Sequence, residues 1–157
     1  WFAPVDDDLI PTGDPGPVSG TRHDWRQGAR MADRLHGRLI DVSLHLSDRR
    51  AAVPRPVARL SASDGPTLTV ETTEPAIQVY AGAHLNGGAP GLTGQPYARF
   101  AGLALEPQVG PDAPTSVVWL NTTSCTTRRP ALFSAITIWR YSFVLAAGFT
   151  AVGLGRS

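Results

Sequence analysis

Glycine and proline interrupt this chain so often that long helices have nowhere to form: 16 Gly and 14 Pro punctuate 157 residues. Between the breaks the apolar residues alternate rather than recur every three or four positions, which is the signature of strands. From Arg38 onward, Leu39, Asp41, Ser43 and His45 fall on one face, and Ile40, Val42, Leu44 and Leu46 on the other. That is a strand with one face against a core. Val57–Ser61 and Thr67–Thr72, around Ser63-Asp64-Gly65-Pro66, read as a hairpin. Ala76–Tyr80 is a further short strand, and Gly102–Glu106 another that is expected to stop at Pro107. Ala135–Phe143 is rich in β-branched and aromatic residues, as a closing strand would be. Between His23 and His36 the apolar positions are sparse and Gly28 weakens a helix, so a loop or one short turn is expected there. The fold class that follows is all-β, an antiparallel β-sandwich, in one domain.

Composition narrows the function. The net charge is +1, from 14 basic and 13 acidic side chains, so no strong field marks a nucleic-acid or acidic-surface binder. At 42% apolar and 17% charged residues, the chain can bury a core and is not disordered. The lone Cys125 excludes an internal disulfide and a thiolate zinc site. His23, His36, His45 and His84 lack metal-ligand spacing, and Asp6-Asp7-Asp8 reads as a solvated turn. No metal site is therefore expected. The apolar stretch from Tyr141 to Gly155, at 15 residues, is shorter than the roughly 18 to 20 a spanning helix needs, so no membrane anchor is expected. No basic and apolar leader opens the chain, and a cytoplasmic protein is the default expectation.

Three polar residues stand out on the predicted strands. Glu106 ends an apolar strand, where a half-buried carboxylate is a candidate general base or else a strand end pointing into water. Asp41 lies mid-strand, either on a solvated face or in a polar pocket. The Gln78 amide both donates and accepts, which suits a sugar hydroxyl as well as a structural bridge.

Four stretches together resemble the aldose 1-epimerase, or galactose mutarotase, family. They are Pro4-Val5-Asp6 with Leu9–Gly13; Ile40-Asp41; Thr72–Pro75 through Gln78-Val79-Tyr80; and Leu105–Gln108 with Pro111–Pro114. Asp41, Gln78 and Glu106 follow one another at intervals of 37 and 28 positions, close to the family's arrangement. Thr126–Pro130 and Ile136–Tyr141 look like its closing strands. The resemblance implies part of a large mutarotase-like supersandwich over 1–143, with 144–157 as an apolar extension. It implies Glu106 as the catalytic base, Asp41 and Gln78 as ligands of a hexose such as galactose or glucose, and no cofactor. Only the C-terminal half of the family pattern is matched, and none of the four histidines stands where the family's acid histidine would be. Val42 follows Asp41 where the family often has histidine.

An incomplete epimerase interconverting α and β anomers is thus the leading reading. A non-catalytic carbohydrate-binding sandwich or a degenerate fragment is the alternative. Either way, a missing N-terminal segment or self-association is expected to cover unpaired strand edges.

Overall fold

A computed structural model describes residues 1–61, 67–85, 88, 90 and 94–111, and the backbone strands 123–127, 138–139, 142–146 and 150–151. The turn expected at 63–66 and parts of the closing strand expected at 135–143 lie outside the described residues, as do 112–114 and 128–130.

Ten short strands and one helix appear in the order β1 (Ala29–Arg30), α1 (Met31–Leu35), β2 (Asp41–His45), β3 (Arg55–Ser61), β4 (Thr67–Thr72), β5 (Ala76–Tyr80), β6 (Gly102–Gln108), β7 (Thr123–Thr127), β8 (Ile138–Trp139), β9 (Ser142–Ala146) and β10 (Thr150–Ala151). They form two five-stranded antiparallel sheets, β1-β10-β3-β4-β7 and β2-β5-β6-β9-β8. The expected all-β antiparallel sandwich is what the chain adopts. Among the described residues, helix is confined to the five residues of α1, in the stretch where a loop or one short turn is expected.

The core lies between the sheets and follows from the alternation. Val42 and Leu44 of β2, Ile77 and Val79 of β5, and Leu103 and Leu105 of β6 are buried in one cluster with Ala58, Leu60, Leu68 and Val70 of β3 and β4. Each sheet thus turns one apolar face inward, as a sandwich requires. Ile77 is fully buried, which stabilises the fold by about 1.5–3 kcal/mol relative to leaving it in water. A bulge between Pro56 and Ala58 brings Val57 inward as well, at 1% exposure.

One boundary differs from expectation. β6 does not stop at Pro107 but runs on to Gln108, with Pro107 paired to Ile77 and fully buried. Proline is excluded from central strands because it lacks an N–H for the ladder. The described pairing of β6 with β9 ends at Leu105, two residues before Pro107.

The N-terminal arm closes the other side of β2. The amides of Ala3 and His45 donate to the carbonyls of Ser43 and Trp1, and Phe2 forms bridges to both Gly16 and Leu44. β2 is therefore held between the arm and β5.

Candidate functional site

The register of three neighbouring strands builds one polar surface. Asp41, Ser43 and His45 of β2 stand opposite Tyr80, Gln78 and Ala76 of β5. On the far side of β5, Tyr80, Gln78 and Ala76 stand opposite Ala104, Glu106 and Gln108 of β6. Directly paired residues point to the same side of a sheet, and so do alternate residues of one strand. Asp41, Ser43, His45, Gln78, Tyr80, Glu106 and Gln108 consequently share the face turned away from the core. The two alanines keep that surface low beside the longer polar chains.

Hydrogen bonds run across the face and fix its central amide. Gln78 Nε2 donates to Asp41 Oδ1 at 2.6 Å, and Gln108 Nε2 donates to Gln78 Oε1 at 3.4 Å. The first of these settles which end of the Gln78 amide is nitrogen, since a carboxylate only accepts. One N–H of that amide and the second Asp41 oxygen remain to meet a ligand. Glu106, half-buried and directly across from Gln78, makes no side-chain hydrogen bond or ion pair among the described residues. A rigid donor–acceptor pair beside an unengaged carboxylate can orient a polyhydroxylated molecule and take a proton from it.

The ends of the face carry further groups. Burial pushes His45 below the usual histidine range, and its Nε2 is buried without a hydrogen-bond partner among the described residues. Ser43 Oγ is likewise buried and unpartnered. Tyr80 stacks on His84 with ring centroids 5.9 Å apart, and its hydroxyl accepts the His84 backbone N–H at 2.7 Å. No cluster of three or more potential metal ligands occurs among the described residues, and no helix among them is long and apolar enough to cross a membrane.

All three residues singled out from the sequence fall on this one face, with Gln78 between the other two. Tyr80 and Gln108 were not singled out. Period-two counting from Gln78 reaches Tyr80, and from Glu106 it reaches Gln108 once β6 is known to pass through Pro107.

A family model described as aldose 1-epimerase matches residues 2–128. Galactose mutarotase of Sus scrofa is 39% identical over 114 residues, covering 71% of this chain and 33% of that protein. Galactose mutarotase of Homo sapiens is 35% identical over the same length, with the same coverage. Aldose 1-epimerase of Escherichia coli is 31% identical over 147 residues, covering 89% of this chain and 42% of that protein. The chain spans about a third of the length of the mutarotases it matches.

Proposed function

Since the chain belongs to the aldose 1-epimerase family, we propose that its polar sheet face is the base side of a site that interconverts the α and β anomers of a hexose such as galactose or glucose. The observation that carries this reading is the common face of Asp41, Gln78 and Glu106, with Gln78 hydrogen-bonded to Asp41 and opposite Glu106. In this reaction Glu106 takes the proton of the anomeric hydroxyl while an acid protonates the ring oxygen. The bond between C1 and the ring oxygen breaks, leaving an open-chain aldehyde. Rotation about C1–C2 presents the other carbonyl face, and as the ring closes Glu106 gives its proton to the carbonyl oxygen while the acid recovers its own from the ring-forming hydroxyl. No electrons leave the sugar, so the reaction needs no redox partner. Asp41 and Gln78 hold sugar hydroxyls so that the anomeric centre lies against Glu106 rather than elsewhere on the face.

Of the histidines among the described residues, His45 is the one borne on these three strands, and it is a poor acid. Burial disfavours its charged form, and its Nε2 is buried. We therefore place the acid in a segment beyond this sequence. Polarimetry on freshly dissolved α-galactose tests the reading. The 157-residue chain alone is expected to change the rate of mutarotation little, and addition of the N-terminal portion of a family member is expected to restore it. Full family-like catalysis by the chain alone would contradict the division of the site. Failure of any complement to produce catalysis, together with saturable sugar binding, would favour a carbohydrate-binding sandwich instead.

A further inference from the structure

Residues 20–38 form an open hollow that shares no lining residue with the sheet face. Its volume is about 580 Å³, and its lining includes Thr21, Arg22, Gln27, Asp33, Arg34 and Arg38. That volume falls within the roughly 300–1,000 Å³ typical of small-molecule sites.

Local structure explains why charges converge there. Thr21 Oγ1 donates to the Val18 carbonyl and accepts the His23 N–H, which curls the chain into a turn above buried Trp25. After α1, His36 and Gly37 both adopt left-handed conformations, with φ of 41° and 71°, and this reversal returns Arg38 toward the turn. Arg34 Nη2 donates to the Asp24 carbonyl at 3.2 Å, tying the helix to the turn.

The charge balance is uneven. Asp24 is already engaged by Arg26, whose Nε and Nη2 reach its two oxygens at 2.8 and 2.7 Å and hold its carboxyl at about 2. Only Asp33 is left to offset Arg22, Arg34 and Arg38. The Arg22 and Arg38 side chains make no hydrogen bond or ion pair among the described residues, and Arg22 is half-buried. Burial, with the added charge of Arg22, also pushes His23 down to about 4, so the neighbouring imidazole has yielded its charge.

We propose that this hollow binds a phosphate monoester of about monosaccharide size, with the Arg22 and Arg38 guanidinium groups on the phosphate oxygens. Guanidinium groups present paired donors that match phosphate oxygens bidentately, and two or three of them exceed what one carboxylate needs. Thr21 and Gln27 supply neutral polar groups for the rest of the ligand. The proposal does not depend on the activity of the sheet face.

Calorimetric titration of the 157-residue chain with glucose 6-phosphate, in phosphate-free buffer at constant ionic strength, tests it. Saturable binding is expected, weakened about tenfold or more by Arg22→Gln and by Arg38→Gln, since a charge-assisted hydrogen bond contributes enough to change affinity by that factor. Arg38 is exposed, so its replacement is expected to leave the melting temperature unchanged and keeps the test readable if Arg22→Gln misfolds. Absence of saturable heat overturns the proposal, as does equal affinity in the wild type and the Arg38→Gln chain. Binding that is lost in Glu106→Gln but kept in both arginine variants puts the ligand on the sheet face and also overturns it.

Discussion

Arg50→Ala is expected to destabilise the fold by about 3–5 kcal/mol, the largest stability loss of any single substitution considered for this chain. Glu74 has no exposed side-chain surface, and its Oε2 accepts from Arg50 Nη2 at 2.7 Å. Removing the guanidinium leaves a carboxylate out of water with, among the described residues, only the Thr73 hydroxyl, at 3.3 Å, as a remaining side-chain donor. The cost is that of an uncompensated buried charge, which exceeds the net value of the pair itself. For a chain of this size the melting temperature should fall by roughly 10 °C. Joint replacement by apolar residues of similar size, Arg50→Met with Glu74→Leu, should recover much of the loss, because no charge is then stranded. A single-variant loss below about 1 kcal/mol would show that the pair is solvated in solution. The network also bears on the site. Glu74 sits between β4 and β5, and the Pro75 carbonyl accepts from Leu46 and Ser47 at the end of β2, at 2.8 and 3.1 Å. The pair thus secures the corner from which the β2–β5 register begins, and with it the meeting of Asp41 and Gln78.

Glu106→Gln is expected to lower the complemented mutarotation rate by about 10²–10⁴-fold, the usual contribution of a positioned general base. The substitution keeps the side chain's length and its place opposite Gln78 but removes the carboxylate proposed to accept the anomeric proton. Because Asp41 and Gln78 would still hold the sugar, the loss should fall on kcat with little change in KM. Polarimetry over a range of sugar concentrations separates the two. A rise in KM at unchanged kcat would assign Glu106 to binding and leave the base to be found elsewhere.

The alternation from Leu39 to Leu46 is enough to separate the polar face of β2 from its buried face, and the burial of Ile40, Val42, Leu44 and Leu46 agrees with it residue by residue. Strand pairing is less legible. β2 lies next to β5, while the intervening β3 and β4 form part of the other sheet. A crossover of that kind depends on contacts distant in sequence, which local periodicity does not encode. Pro107 hid the last two residues of β6 for a different reason. The rule against proline in a strand is a rule about ladder bonds, and Pro107 lies beyond the described pairing of β6 with β9. Gln108, whose side chain supports Gln78, was concealed with it. The arginine-lined hollow is legible only in three dimensions, because Arg22 and Arg38 are separated by a helix and brought together by the left-handed pair His36-Gly37.

The account rests on sugar hydroxyls meeting the Gln78 amide, and nuclear magnetic resonance of the glutamine side-chain N–H₂ groups observes that contact directly. On titration of the 157-residue chain with galactose, the Gln78 side-chain resonances should shift and saturate, with smaller changes at Gln108, and Asp41→Ala should abolish the response by freeing the amide. Gln78 signals that stay fixed while sugar binds elsewhere on the chain would contradict the assignment of this face.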